Sequence, residues 1–401
     1  MQTKISEYFK NIPEYKLADR ILRSCVHCGF CTATCPTYQL LGNELDSPRG
    51  RIYLIKQVLE GDIITQKTQL HLDRCLTCRA CETICPSSVE YGHLLDIGRK
   101  YVDTKIKRPL LDRVKRKILI SILPYPKRFS LLFNLTCYFN FLLPAQLKLT
   151  RPTKFKNYKF PNKHSRKMIL LSGCVQPTLA PQINTATKQL FNKLDIDLIE
   201  IPHVNCCGAV THHLSEEKKT ITTIKTNIDK WWPFIQSGIE AIVINASGCS
   251  VMVKDYGFIM QADHVYSEKA RIVSSLCKDI SEILQETDLT PFKNNNNTRI
   301  AFHSPCTLQH GMKLNGLVEN ILKTAGYQLT TIKDKHLCCG SAGTYSILQS
   351  TISNQLAVNK INNIEADFPE LIVTANIGCL HHLQNKSTLQ VKHWVELFYL
   401  N

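Results

Sequence analysis

The sequence is first informative for what it does not contain. None of its uninterrupted apolar stretches reaches the ~20 residues that a membrane-spanning helix needs. The first twenty residues have no continuous apolar core, so we do not expect a secretory signal peptide. Acidic residues are scarce, with 33 Asp and Glu against 49 Lys and Arg. No G-x-G-x-x-G follows a predicted strand, which argues against a flavin or nicotinamide site on this chain.

Cysteine, in contrast, is abundant, with 18 residues in a chain of 401. In a protein expected to stay in the reducing cytosol, so many thiols indicate metal binding rather than disulfide bonds. The hydrophobic content of 44% is typical of a globular chain that can bury a core. The length predicts two to four domains.

Two cysteine runs near the N-terminus share the pattern C-x-x-C-x-x-C-x-x-x-C-P. Bacterial ferredoxins use this spacing for cubane [4Fe–4S] clusters, whose iron prefers thiolate ligands. A structural zinc site and a disulfide framework are the alternatives, but a third cysteine at the same spacing favours clusters. In two-cluster ferredoxins the cysteine before proline ligates the other cluster. We therefore predict one cluster on Cys25, Cys28, Cys31 and Cys85, and a second on Cys75, Cys78, Cys81 and Cys35.

The surrounding segments favour helices. Residues 1–24 have the spacing of one amphipathic helix. Between the two runs, residues 47–62 predict another helix, with Ser47 as its cap, a proline in its first turn and a glycine beyond its end. Arg49 and Arg51 follow that cap, and we expect each to be solvated unless it docks a partner beside anionic clusters.

Positive charge is concentrated in one segment. Between Arg99 and Lys167 lie 19 lysines and arginines but only two aspartates, a local balance of +17 that leaves the rest of the chain near −1. The middle of this segment is apolar and broken by prolines. Residues 100–166 are therefore predicted to be a basic amphipathic connector, which either lies in the interface of an anionic membrane or packs on the cluster domain. No recognised nucleic-acid-binding fold accompanies the charge, so we expect no nucleic-acid partner.

From Lys167 onward the chain repeats itself. Equivalent cysteines lie 132 residues apart at three positions and 130 apart at the fourth, and the asparagines at 294–297 mark the joint. Short β-branched runs alternate with helical stretches in each repeat, which predicts an α/β unit with a largely parallel sheet. The expected fold class is thus α+β and multidomain, with a mostly helical cluster domain followed by two repeated α/β domains. The predicted boundaries are 1–99, 100–166, 167–293 and 298–401.

The repeated cysteines are candidate ligands for a further iron–sulfur cluster or metal. The outer cysteines follow predicted strands, where open α/β sheets place their sites. An adjacent Cys-Cys pair can direct both side chains to one point only in a turn, which the following glycine permits. The stretch GSAG after the second pair is expected to open a helix whose amides favour an anionic group. The candidate sets are Cys174, Cys206, Cys207 and Cys249 in the first repeat, and Cys306, Cys338, Cys339 and Cys379 in the second.

In this combination and order, the motifs resemble a known family. The repeat is similar to the cysteine-rich CCG domain of heterodisulfide reductases and related electron-transfer subunits, including the C subunit of anaerobic glycerol-3-phosphate dehydrogenase. There, two such domains follow a two-cluster ferredoxin module. A closer resemblance, to glycolate oxidase iron–sulfur subunits, covers essentially the whole chain. It is carried by DSPRGRIYLIK (46–56), SPCTLQHG (304–311), CCGSAGTYS (338–346) and ANIGC (375–379).

One departure from the family pattern concerns the end of each repeat. Fuller CCG motifs end in C-x-x-C, but Met252 and His382 stand at the fifth position here. The non-cubane clusters of the five-cysteine motif are therefore not expected, whereas four cysteines can hold a cubane cluster or zinc. His382, or the neighbouring His381, is a candidate imidazole ligand. Four more histidines flank the cysteines and either are structural or position a site and its protons: His203, His303, His310 and His336.

The resemblance implies an electron-transfer subunit of glycolate oxidase. Partner flavoprotein subunits, which carry FAD, would oxidise glycolate to glyoxylate, and electrons would pass through this chain towards a membrane quinone. No catalytic residue is expected here. The implied location is cytoplasmic, peripheral on the inner membrane. The alternatives are a similar subunit serving glycerol 3-phosphate, lactate or a disulfide and, from another class, a cluster-dependent scaffold or redox sensor.

Overall fold

A computed structural model describes residues 1–10, 12–140, 164–204, 206–293 and 298–398. The second half of the predicted connector, 141–163, and the predicted joint at 294–297 therefore lie outside the described residues.

Residues 1–105, called the helical module below, contain both cysteine runs. Its helices are α1 (Glu7–Lys10), α2 (Pro13–Ser24), α3 (Pro36–Leu41), α4 (Pro48–Glu60), α5 (Gln66–Asp73), α6 (Ala80–Thr83) and α7 (Tyr91–Lys105). One apolar core joins all of these except α3, and in it α7 packs on α2, α4 and α5. Because α7 runs past residue 99, the predicted boundary at 99/100 falls within a helix.

The N-terminal segment forms two helices, so the prediction of one helix over 1–24 is wrong. Helix α1 ends at Lys10, and α2 begins at Pro13. Proline is favoured in the first turn of a helix but lacks the N–H that a helix interior needs, so Pro13 starts a new helix. The apolar spacing carries no signal of this break.

Helix α4 begins and ends as its sequence predicts. Ser47 accepts a hydrogen bond from the Gly50 N–H at 3.0 Å, Pro48 occupies the first turn, and Gly61 adopts the left-handed conformation beyond the end (φ 100°). Gly50 has a further reason to be glycine, because a Cβ there would lie 2.0 Å from the Glu44 carbonyl oxygen. The first turn of α4 therefore packs closely against the backbone of the preceding loop at Glu44.

The prediction that Arg51 is solvated is wrong, because its side chain is only 1% exposed. It donates to the His71 carbonyl oxygen (2.7 Å) and the Thr37 hydroxyl (3.1 Å), and it approaches the Asp46 carboxylate at 3.5 Å. Asp46, fully buried, is also held by His71 Nδ1 (3.0 Å) and Arg74 Nη1 (2.9 Å). We call Thr37, Asp46, Arg51, His71 and Arg74 the buried network. It joins the segment after Cys35 to the segment before Cys75.

Two further helices, α8 (Leu110–Ile122) and α9 (Pro126–Tyr138), form the helical hairpin. Arg108 and Arg116 pair with Asp73 of the helical module, Arg116 at 3.3 Å. Leu119 and Ile120 pack on Leu214 of the first α/β unit. The described part of the connector is therefore docked on the rest of the chain, by ion pairs to the helical module and by apolar contacts to the first unit.

The first unit, residues 166–284, alternates strands and helices. It contains β1 (Arg166–Leu170), α10 (Gln176–Leu179), α11 (Pro181–Lys193), β2 (Ile196–Ile199), α12 (Ala209–His213), α13 (Glu217–Gln236), β3 (Ile242–Ile244), α14 (Ser247–Lys254), α15 (Tyr256–Ile259), α16 (Ser267–Leu276), β4 (Cys277–Asp279) and α17 (Ile280–Leu284). The strands are parallel, in the order β2-β1-β3-β4.

The second unit, residues 299–398, repeats this plan. It contains β5 (Arg299–His303), a π-turn (Thr307–Gly311), α18 (Leu317–Thr324), β6 (Gln328–Leu329), α19 (Tyr345–Leu348), α20 (Ser350–Glu365), β7 (Leu371–Thr374), α21 (Ile377–Gln384), β8 (Val391–His393) and a 3-10 helix (Trp394–Phe398). Its strands are also parallel, in the equivalent order β6-β5-β7-β8. The predicted repeated α/β architecture is confirmed.

One hydrophobic core is shared by the two units, and the first unit has a second core of its own. Met168 and Leu190 of the first unit belong to the same buried cluster as Phe302 and Trp394 of the second. The start of α14 also meets the second sheet, where the Ser247 N–H donates to the Ala375 carbonyl at 3.3 Å. Repeats that bury a common core cannot move independently, so the two units form one body.

Within the described part of the chain, none of the helices combines the length and apolar character needed to cross a bilayer.

We predict that Arg51→Met destabilises the helical module by about 3 kcal/mol, because removing one partner from a buried charge network is costly. Urea unfolding of the anaerobically purified protein, followed by helical circular dichroism, measures the effect. Arg49→Met is the matched control, since Arg49 lies two residues away but pairs with Glu44 at the surface. An unchanged midpoint for Arg51→Met would contradict a structural role for the buried network.

Candidate functional site

Cys25, Cys28, Cys31 and Cys85, called set 1, line a single cavity in the helical module. The loop between α2 and α3 supplies the first three, and the segment after α6 supplies Cys85. The cavity is otherwise walled mostly by apolar groups, including Ile52 and Val89. The structure thus brings together four thiols that are up to sixty residues apart in sequence.

Cys35, Cys75, Cys78 and Cys81, called set 2, line a second cavity. Cys81 also lines the cavity of set 1, so the two cavities share a wall. Cys35 lies in the cavity lined by the second run and Cys85 in the cavity lined by the first, while the assignment of ligands to each cluster stays a prediction.

Both cysteine loops have left-handed residues at equivalent positions. The second residue after the first cysteine of each run has a positive φ, 55° at His27 and 53° at Thr77. The residue after the second cysteine does too, 86° at Gly29 and 59° at Arg79. Left-handed residues between right-handed ones turn successive N–H groups towards one point, an arrangement that favours anionic groups such as iron–sulfur clusters. The donor type and the backbone both fit a [4Fe–4S] cluster.

Burial sets the protonation of these thiols. It raises the pKa of Cys31 to about 11 and that of Cys78 and Cys81 well above the usual value for a thiol. At neutral pH they are therefore neutral in the free protein. A metal group must displace their protons to bind, which couples its binding to proton release.

Polar groups surround set 2. Tyr91 donates its hydroxyl to Cys75 Sγ at 3.6 Å, and the Arg99 guanidinium donates to the Cys75 carbonyl at 2.7 Å. Arg51 of the buried network lies 4.0 Å from Cys35 Sγ. Hydrogen bonds and positive charge near sulfur stabilise the reduced, more negative state of a cluster. These groups would therefore raise the reduction potential of a cluster bound to set 2.

In the first unit, four thiols meet at the carboxyl ends of the strands. Cys174 follows β1, Cys206 and Cys207 follow β2, and Cys249 lies in the first turn of α14 after β3. Cys206 accepts hydrogen bonds from the thiols of Cys174 and Cys207, while Cys207 contacts Cys249. The Gly208 N–H adds a bond to Cys206 Sγ at 3.4 Å. These donors lower the pKa of Cys206 well below its usual value.

The second unit repeats the chain of contacts. Cys306 Sγ lies 3.6 Å from Cys338 Sγ, Cys338 contacts Cys339, and Cys339 contacts Cys379. The Gly340 N–H donates to Cys338 Sγ at 3.4 Å, as Gly208 does in the first unit. Both glycines have φ near 90°, and a Cβ on Gly340 would lie 2.7 Å from the Ser353 carbonyl oxygen. Glycine is required here by conformation and by space.

The expectation that GSAG opens a helix after this pair is wrong. Residues 342–344 form turns, and α19 begins only at Tyr345. In the first unit, α12 does begin directly after Gly208. The positive φ of Ala342 and Gly343 explains the difference, since two left-handed residues interrupt a helical start.

His303, not His382, lies with the thiols of the second unit. His303 Nε2 is buried without a hydrogen-bond partner, and the ring offers a nitrogen within 4.8 Å of the sulfurs of Cys339 and Cys379. His382 Nε2 instead lies 3.1 Å from the Ser353 hydroxyl, and its pKa is lowered by burial. The sequence contains a signal for this: the first repeat has Leu171 where the second has His303.

Of the other flanking histidines, His203 lies at the surface and His310 lies at the contact with the helical module. His203 is exposed, with a positive φ of 66°. His310 is buried, with Nδ1 3.0 Å from the Thr83 hydroxyl and Nε2 2.9 Å from the His336 carbonyl oxygen. His310 thus ties the second unit to helix α6 of the helical module, which is a structural role.

Set 2 lies directly against the thiols of the second unit. Leu76 and Cys78 pack in one cluster with Cys306 and Cys338, and Tyr345 completes it. The Tyr345 hydroxyl donates to the Arg74 carbonyl at 3.0 Å, just before Cys75. Set 1, set 2 and the second-unit thiols therefore follow one another without an intervening domain.

Comparison with protein families divides the chain in the same way. Residues 21–89 match the 4Fe-4S dicluster domain, and residues 168–254 and 300–384 match the cysteine-rich CCG domain.

Similar proteins extend over nearly the whole chain. The glycolate oxidase iron-sulfur subunit of Escherichia coli (strain K12) is 49% identical over 99% of this chain and 98% of its own length. The probable glycolate oxidase iron-sulfur subunit of Bacillus subtilis (strain 168) is 30% identical over 90% of this chain and 87% of its own. Lactate utilization protein A of Bacillus pumilus is 24% identical over 58% of this chain. At this identity and coverage, the chain belongs to the family of glycolate oxidase iron–sulfur subunits, with a dicluster domain and two CCG domains.

Proposed function

We propose that this chain carries single electrons between a flavin-containing partner that oxidises glycolate and a membrane quinone. The observation that carries the proposal is the unbroken series of sulfur sites, in which sets 1 and 2 share Cys81 as a wall and set 2 touches the second-unit thiols. The FAD of this complex belongs to the partner subunits. This chain provides the path between the reaction that releases electrons and the acceptor.

Each set of the helical module would hold one [4Fe–4S] cluster. Set 1 would ligate the first through Cys25, Cys28, Cys31 and Cys85, and set 2 the second through Cys35, Cys75, Cys78 and Cys81. A bound cluster supplies one-electron chemistry. The protein supplies the thiols, the left-handed loop residues and the hydrogen bonds from Tyr91 and Arg99 that adjust the potential.

Each CCG unit would hold a further cluster or metal ion on its four thiols. In the first unit the donors are cysteines only. In the second, His303 can replace or assist a thiol, since one of its ring nitrogens lies within 4.8 Å of the sulfurs of Cys339 and Cys379 and its Nε2 has no hydrogen-bond partner. Mixed sulfur and nitrogen donors suit zinc or iron, so we expect the two units to differ in the group they bind.

The helical hairpin would bring this path to the membrane surface. On α9 the exposed apolar residues Leu131, Leu135 and Tyr138 follow helical spacing, and α8 exposes Leu110 and Leu111 at its start. Exposed basic residues of both helices lie beside them: Arg113, Lys115, Lys117, Lys127 and Arg128. An apolar face flanked by positive charge suits an anionic bilayer interface, where a quinone also resides. The protein would be cytoplasmic and peripheral on the inner membrane.

The cluster ligands can be tested one cavity at a time. Cys85→Ser should remove about four irons and the electron paramagnetic resonance signal of one cluster, because a cubane needs all four thiolates. Cys277→Ala is the control, since Cys277 is buried in β4 outside every set. Retention of full iron and both signals in Cys85→Ser, measured on anaerobically purified protein, would contradict the assignment of Cys85.

The electron donor can be tested in the reconstituted complex with its flavoprotein subunits. Glycolate should bleach the iron–sulfur absorption rapidly and a quinone should restore it, whereas lactate or glycerol 3-phosphate should act more slowly. Stopped-flow absorption measures these rates. Faster reduction by lactate would move the proposal towards a lactate-linked enzyme, and no reduction by any of the three would favour a scaffold or sensor.

Membrane binding can be tested with vesicles containing phosphatidylglycerol. Leu131→Ser together with Leu135→Ser should lower co-sedimentation about tenfold or more, because each leucine loses ~1.5 kcal/mol of apolar burial. Phe368→Ser is the matched control, as Phe368 is 81% exposed on the second unit. Equal loss of binding in the control, or no loss in the double variant, would argue against the hairpin as the contact.

A further inference from the structure

A cleft of about 920 Å³ separates helix α7 of the helical module from the first unit. Its wall on the module side carries His93 and Asp96, one helical turn apart on α7. Its opposite wall carries His212 and His213, the last two residues of α12. These residues belong to neither cysteine set, and the proposed electron path does not use them.

Three of these side chains converge. Asp96, His212 and His213 each offer one ligand atom, and these atoms lie within 4.8 Å of one another. The closest pair is His212 Nε2 and Asp96 Oδ2, at 3.1 Å. Ligands of four-coordinate zinc lie about 2.0–2.2 Å from the ion, so their mutual separation is of the same order as this pair. His213 is exposed and lines the cleft.

The surroundings favour a cation here. His93, on the preceding turn of α7, has both ring nitrogens buried without a hydrogen-bond partner. The nearest basic side chains are engaged elsewhere: Arg99 donates to the Leu72 and Cys75 carbonyls, and Lys100 pairs with Glu14 and Glu217. Among the described residues around this cleft, Arg99 and Lys100 therefore form these bonds with groups other than the three converging side chains.

We propose that Asp96, His212 and His213 bind a divalent zinc ion that joins helix α7 to the first unit. Two imidazoles and one carboxylate are a donor set that zinc accepts, and the open cleft leaves its fourth position to water. Because the donors come from two parts of the chain, the ion would fix the helical module against the first unit. The site is distinct from the sulfur sites and does not rest on the proposed electron transfer.

The test measures zinc bound by the full-length, anaerobically purified protein after titration and desalting. The wild type should retain one more zinc per chain than His213→Gln, and Asp96→Asn should match His213→Gln. His264→Gln is the matched control, because His264 is exposed in the same cleft but outside the three ligands. His264→Gln should keep the wild-type stoichiometry.

X-ray absorption at the zinc edge separates this site from the thiols of the CCG units. Nitrogen and oxygen neighbours should contribute to the wild-type spectrum and fall in His213→Gln. Since His213 lies at the surface of the cleft, this variant can be tested even if Asp96→Asn fails to fold. Equal zinc content in the wild type and His213→Gln, or an unchanged spectrum, would overturn the proposal and leave only an ion pair between Asp96 and His212.

Discussion

The fully buried Asp46 carboxylate is the constraint around which the helical module is organised. A carboxylate without solvent must be paired and hydrogen-bonded, and Arg51, His71 and Arg74 meet that requirement from three directions. Those partners lie on α4, on α5 and directly before Cys75. Satisfying one charge therefore fixes where both cysteine loops begin or end. The same Arg51 approaches Cys35 Sγ. The buried network that holds the loops would therefore also affect the reduction potential of a cluster bound to set 2.

In the two α/β units, the parallel sheet and the turns after its strands bring the cysteines together. In a parallel sheet the carboxyl ends of neighbouring strands meet at one edge, so cysteines after β1, β2 and β3 converge without any contact in sequence. The left-handed glycine after each Cys-Cys pair aims an N–H back at the first sulfur of the pair. The shared core then fixes one group of thiols relative to the other. The two units thus share this geometry, and they differ in that His303 stands where the first unit has Leu171.

Local signals in the sequence predicted much of this structure. Ser47, Pro48 and Gly61 define α4 because capping depends on the nearest few residues. The cysteine spacing predicted a dicluster domain, and residues 21–89 match one, whereas the ligands of each cluster stay a prediction. Burial of Arg51 could not be predicted in this way, because its partners Thr37 and His71 lie 14 and 20 residues away. The break before Pro13 was missed because apolar periodicity continues across it, and the position of His382 depends on Ser353, a residue outside the motif.

Polar contacts between the helical module and the two units fix the positions of the sulfur sites relative to one another. Thr83 meets His310, Tyr345 meets the Arg74 carbonyl, and Arg79 reaches Asp255 at 3.2 Å. Asp255 precedes Tyr256, whose hydroxyl donates to the Cys207 carbonyl beside the first-unit thiols. Each contact therefore links a residue near set 2 to a residue near a CCG site. Interfaces built from such short polar contacts hold distances constant, and a constant separation between centres is what sequential one-electron transfer requires.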